Sequence, residues 1–191
     1  LHATLVKGTW TEGIRGKAVR IDGPGSYLDY GDSPRLSFAA GAPFTIAFWT
    51  RTRRDDGTLL SQRNNRDGAP VIDMLLKGGR VSVQVRQDGN DVFGAVTVDG
   101  QAVNDGAWHH IALTREGDGL ELFVDGVSQG RNRGDLAGGA ITTDLRALGS
   151  ERYWINRNTL FGNPDFHGDM DELCVFNRVL KAEEIRTLAG R

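Results

Sequence analysis

Residues 44–53 read Phe44-Thr45-Ile46-Ala47-Phe48-Trp49-Thr50-Arg51-Thr52-Arg53. Successive side chains of a β-strand point to opposite faces. Phe44, Ile46, Phe48 and Thr50 therefore share one face, and Thr45, Ala47, Trp49 and Arg51 the other. Both faces carry large apolar groups. The stretch predicts a central strand, covered on both sides over part of its length.

The segments around it read as strands too. Val81, Val83 and Val85 alternate with Ser82, Gln84 and Arg86, a half-buried pattern, and Lys77-Gly78-Gly79 joins them to Val71–Leu76 as a hairpin. Val92–Val98 reads as a strand ending in an Asp99-Gly100 turn. Trp108–Arg115 and Leu120–Val124 are separated by Glu116-Gly117-Asp118-Gly119, and Asp125-Gly126 turns the chain again. Earlier, Lys17–Asp22 and Ser26–Tyr30 flank a Gly23-Pro24-Gly25 turn. A closing strand, Phe166–Phe176, precedes the one good helical pattern, Ala182–Leu188, which is short enough to depend on packing.

Composition agrees with a turn-rich β fold. The 191 residues include 26 glycines, about twice ordinary usage, but only 5 prolines. With no linker visible, 1–191 reads as a single domain, large enough to fold on its own core. A net charge of −2 gives no electrostatic case for nucleic acid or anionic lipid, and no apolar run is long enough to insert in a membrane. The lone Cys174 forbids an intrachain disulfide and reads as a small buried hydrophobe. With Leu1 first and no initiator methionine, the sequence reads as a piece of a longer protein.

Five blocks, in order, carry a resemblance. They are Ala18-Val19-Arg20-Ile21-Asp22-Gly23 with Tyr27-Leu28, Phe44–Trp49, Asp105–Ala112 around Trp108-His109-His110, Leu122-Phe123-Val124-Asp125-Gly126, and Phe166–Leu180. Together they resemble the laminin-G-like (concanavalin A-like) jelly rolls. That resemblance implies an all-β, two-sheet antiparallel β-sandwich with one short C-terminal helix. It departs from the family at Lys181, where Ser or Thr usually caps the last helix; Glu183 and Glu184 compensate in part through the helix dipole.

Three kinds of site are weighed. Asp169, Asp171 and Glu172 sit on one strand, as acidic residues do in glucanases of this fold, but only Asp169 and Asp171 share a face under strict alternation. The next residues on that face are Leu173 and Val175, so the carboxylate set for glycoside cleavage is missing. His109 and His110 project to opposite faces and cannot together chelate a metal. Calcium (Ca) is a candidate cofactor: Asp22 and Asp171 lie on strands that are neighbours in this family, and could combine with carbonyls of the Gly23–Gly25 turn. The third site is the loop Ser150–Asp165. There Tyr153 and Trp154, with Arg152, Asn156 and Arg157, could stack on and hydrogen-bond a ligand.

The expectation is a non-catalytic recognition or adhesion module of a larger extracytoplasmic protein, binding glycan or a protein surface through loops at one end or on the concave face. A structural spacer and a glycoside-cleaving enzyme are the alternatives, because one fold hosts all three.

Overall fold

A computed structural model of the chain describes residues 2–31, 33–63, 70–87, 95–142, 145–150 and 164–190. Its strands are β1 (Thr4–Val6), β2 (Thr9–Glu12), β3 (Lys17–Asp22), β4 (Tyr27–Asp29), β5 (Phe44–Arg51), β6 (Gly57–Arg63) and β7 (Pro70–Lys77). They continue as β8 (Arg80–Val85), β9 (Val96–Ala102), β10 (Trp108–Glu116), β11 (Gly119–Val124), β12 (Val127–Arg133), β13 (Leu145–Leu148) and β14 (His167–Phe176). Helix α1 covers Asp135–Gly138 and α2 covers Ala182–Ala189. The described strands form two seven-stranded sheets, ordered β1-β4-β13-β6-β7-β8-β9 and β12-β11-β10-β5-β14-β3-β2. Every pairing between them is antiparallel. The all-β sandwich with one short C-terminal helix is thus the observed architecture.

β5 is the middle strand of its sheet. Phe44, Ile46 and Phe48 enter the inter-sheet core, where Val81, Val83 and Val85 of β8 meet them from the other sheet. Burying each such side chain contributes about 1.5–3 kcal/mol. On the opposite face Ala47 pairs across the strands with Ala112. Two small residues side by side leave a flat patch, and Leu180 and Ile185 settle on it beside Phe123. That contact is what holds α2.

The chain entering α2 is pinned by Thr45, whose Oγ1 donates to the Arg178 carbonyl at 2.9 Å and accepts the Leu180 amide at 2.9 Å. Lys181 offers no capping oxygen. Glu184 instead reaches back to accept the Lys181 amide at 2.8 Å while Arg178 clasps it at 2.8 and 2.7 Å. These bonds pull the Glu184 carboxyl down to about 2.

Turn chemistry follows the sequence at two hairpins. Gly78 and Gly79 have φ of 57° and 76°, and Asp125 and Gly126 have 52° and 77°, the paired positive φ of a tight hairpin turn. A third expectation is corrected. Asp99-Gly100 is no turn; β9 runs through it to Ala102, with a bulge against β8. The sequence signal was that of a bulge glycine, which a turn glycine matches locally. Gly23–Gly25 carries the chain from one sheet to the other, since β3 and β4 belong to different sheets.

Candidate functional site

β14 lies between β5 and β3, and its sequence explains how it serves two masters. Met170 points into the core, and Leu173 and Val175 pack against it. Strict alternation cannot place an even and two odd positions on one face. The register resolves this: Asp171 faces Trp49 and Cys174 faces Ala47, so one extra residue is inserted between them. Glu172, at φ 50°, lies in this bulge. Leu173 and Val175 therefore face opposite to Asp169 and Asp171, not with them as alternation predicts.

The acidic cluster is consumed by structure. Asp169 is 3% exposed and is held by Arg20 Nε at 2.7 Å and Arg51 Nη2 at 2.6 Å. Burial alone would raise its carboxyl, but the hydrogen bonds and charges of the two guanidiniums override that and hold it below the usual range. Asp171 accepts the Ile14 amide at 2.8 Å and the Arg15 amide at 3.3 Å, and also the Glu172 amide at 2.8 Å. Neither carboxyl is placed to carry a proton for general acid chemistry.

Asp22 and Asp171 do lie on paired strands, β3 and β14, as the calcium reading requires. The register separates them. His167 is the partner of Asp22, and Asp171 sits four residues further along, about 13 Å at the strand rise. The two carboxylates do not converge on one ion. Nor does Asp22 hold the Gly23–Gly25 turn: Asp165 does, accepting the Gly25 amide at 3.0 Å and the Ser150 hydroxyl at 2.5 Å. Among the described residues no cluster of three or more His, Cys, Asp or Glu is set to hold a metal.

His110 is buried edge-on to Trp49, with centroids 5.3 Å apart, and burial pushes its pKa down to about 4. Its Nδ1 has no hydrogen-bond partner among the described residues. His109 is the hydrogen-bonded ring, with Nδ1 2.8 Å from Asp125 and Nε2 3.0 Å from Asp105. A neutral imidazole can donate from only one nitrogen, so this bridge favours the imidazolium. Burial opposes the charge, and the two aspartates outweigh it, so the pKa is raised. A raised folded-state value contributes stability that is complete below the unfolded pKa of about 6.5 and lost as pH rises through the folded one. The His109 ring, followed by NMR, is expected to titrate above a free imidazole, with thermal stability declining as pH rises from about 6.5 into the mildly alkaline range; below about 6.5 the buried, neutral His110 makes stability fall with acid instead. Asp125→Asn should flatten that decline. Titration of His109 at or below the free value would refute the bridge.

The cavity suited to a ligand lies elsewhere, where the two sheets part along one edge. It has a volume of about 670 Å³. Leu5, Leu28 and Leu148 form one wall, and Val19, Met170 and Leu173 the other. Trp10 overhangs it. Cross-strand pairing with Val19 puts Trp10 on the core side of β2, but β2 is the last strand of its sheet, and the indole stays 64% exposed. Lys17, Arg35, Asp171 and Glu172 supply a charged rim, and Tyr30 lies inside, where burial raises its phenol. An apolar floor, one exposed indole and convergent polar groups are the ingredients of a small-molecule site.

Tyr153, Trp154, Arg152, Asn156 and Arg157, the ligand set expected from sequence, lie outside the described residues. Trp10 was missed by that reading. A single indole in a four-residue strand has no periodicity to mark it. Cys174 is half-buried, and burial is the first cause of its raised thiol pKa, in keeping with an inert role.

The family described as "Concanavalin A-like lectin/glucanases superfamily" matches residues 22–186. The basement membrane-specific heparan sulfate proteoglycan core protein of Mus musculus is 34% identical over 139 residues. That alignment covers 64% of this chain and 4% of the relative, so the chain corresponds to a small part of it. Among solved structures, the binding domain of Paraclostridial Mosquitocidal Protein 1 superposes with a TM-score of 0.75 at 15% identity, covering 98% of this chain and 47% of that one. Domain 4 of an extracellular GH43 arabinanase from Geobacillus stearothermophilus, in complex with arabinotriose, gives 0.65 at 17% identity, covering 96% and 82%. At such identities the two structures share the fold alone.

Proposed function

The chain belongs to the concanavalin A-like lectin/glucanases superfamily, and from there we propose that it is a non-catalytic recognition module that binds saccharide at the cleft beneath Trp10. The exposed indole over that cleft carries the reading. Indole faces stack on the C–H faces of sugars while charged rim groups take up hydroxyls. The engagement of Asp169 and Asp171 in ion pairs and amide bonds supports a binding role over glycoside cleavage, which needs two carboxyl groups free to act. Domain 4 of the arabinanase, which holds arabinotriose, supports saccharide as the ligand class. The basement-membrane proteoglycan relative supports an extracytoplasmic setting within a longer protein.

An oligosaccharide array followed by calorimetric titration of the best binder tests this. Trp10→Ala is expected to weaken binding at least about 10-fold, or ~1.4 kcal/mol. Its unfolding free energy should stay within about 0.5 kcal/mol, since the residue is exposed. An array without binders, or a Trp10→Ala variant of unchanged affinity, would defeat the reading. Capture of a protein partner through Trp10 in its place would redirect it to a protein surface.

A further inference from the structure

A second cavity, of about 320 Å³, opens on the outer face of the β3–β14 pair and shares no lining residue with the Trp10 cleft. Arg20, Arg51, Arg53 and Arg54 line it, against the carboxylates Asp22 and Asp169. Counting these arginines and carboxylates, two positive charges are in excess. Gathering like charges is unfavourable unless they are fixed in place and screened, and here the fixing is visible.

Arg20 places Nε and Nη2 on Asp169 at 2.7 and 3.1 Å, and Arg51 places the same two atoms there at 2.9 and 2.6 Å. One carboxylate neutralises one guanidinium. The pair keeps a net positive charge, and each Nη1 stays outside the contact. Arg51 also lies over the Trp108 ring, 4.7 Å from its centroid. Thr52, 4% exposed, donates its hydroxyl to the His167 carbonyl at 2.6 Å and accepts the Arg54 amide at 3.0 Å, tying the turn that carries Arg53 and Arg54 to β14. Gly106, at φ 87°, lets the Arg53 guanidinium lie against bare backbone, since a Cβ there would fall 2.6 Å from Cζ. Arg53 and Arg54 form no ion pair among the described residues.

We propose that this cavity receives one oxyanion group carried on a sugar unit, a sulfate ester or a uronate carboxylate. Guanidinium groups held in fixed orientation form short, charge-assisted pairs with such oxygens. The volume stands at the low end of small-molecule sites, about 300–1,000 Å³, and suits a single sugar-sized unit. The sugar as carrier rests on the function proposed above; the oxyanion does not.

Calorimetric titrations with glucose 6-sulfate, glucuronate, glucose and inorganic sulfate test it on the intact chain. At least one sugar anion is expected to bind 10-fold or more tightly than glucose, and to weaken as salt rises. Arg53→Gln/Arg54→Gln should remove that preference at unchanged thermal stability, because both side chains are exposed, whereas Trp10→Ala should keep it. Equal affinity for glucose and its anions overturns the proposal, as does anion binding that survives the double arginine variant. Inorganic sulfate bound as tightly as the sugar anions overturns it too, since only an ion site without a carrier remains. Loss of neutral-sugar binding in Trp10→Ala alone leaves the first cleft standing and is read separately.

Discussion

Replacing Arg115 with leucine is expected to lower the unfolding free energy by about 3–4 kcal/mol, the range for leaving several buried polar groups without partners. Among the described residues Arg115 is the largest side chain with no exposed surface. Its guanidinium donates to four carbonyls: Ala42 at 3.0 and 2.7 Å, Ala39 at 2.9 Å, Ala137 at 3.3 Å and Gly139 at 3.0 Å. No carboxylate pairs with it among the described residues. Carbonyl dipoles and the ring of Phe44, 4.8 Å away, take the place of a counter-ion. Burial pulls its pKa down to about 10, which leaves it charged at neutral pH. The side chain thus fastens residues 39–42 and α1 to the end of the sandwich. Leucine supplies apolar volume but no donor; the Ala39 carbonyl keeps the Ala42 amide at 3.0 Å, while those of Ala42, Ala137 and Gly139 lose the guanidinium. Lysine, with three donors in place of five, should fall between. Urea titration measures both. A loss below about 1 kcal/mol for leucine would mean that water replaces the guanidinium at little cost.

Gly168→Ala is expected to cost about 3 kcal/mol and to lower the melting temperature by about 6–12 °C. A Cβ at this position would collide with the carbonyl oxygen of Arg51 and the ring of Phe166. The first is backbone of the central strand, and the second belongs to a side chain with no exposed surface. Neither can step aside. The neighbouring residue is Asp169, which orients Arg20 and Arg51, so sugar-anion affinity should drop as well. Calorimetric melting reads the first effect. A melting temperature within about 2 °C of the parent would show that β14 can lift from β5 without penalty.

Most of the architecture was legible because its signals are local and repeated. The alternation of residues 44–51, the valine triplet of β8, the glycine pairs of the hairpins and the small helix each declare themselves within a few residues. Errors came where one residue changes the phase. The bulge at Glu172 reversed the faces of Leu173 and Val175, and the bulge at Asp99-Gly100 passed for a turn. The site was far less legible. Arg20, Arg51 and Asp169 come from three segments that only strand register brings together, and Arg115 reads in sequence as a charge ending a strand. Trp10 owes its exposure to β2 being an edge, which is a property of the whole sheet. Asp22 and Asp171 were correctly set on neighbouring strands, but a register cannot be read without knowing which residues face each other.

The inserted residue at Glu172 divides β14 into two halves that answer to different parts of the molecule. The first half presents its polar side to the arginine cavity. The second presents Phe176 to the packing under α2. Deleting Glu172 would restore plain alternation and turn one half inside out, sending either the Asp169 carboxylate or the Leu173 and Val175 side chains to the wrong face. The chain between Gly168 and Phe176 therefore tolerates exchange of residues more readily than a change in their number.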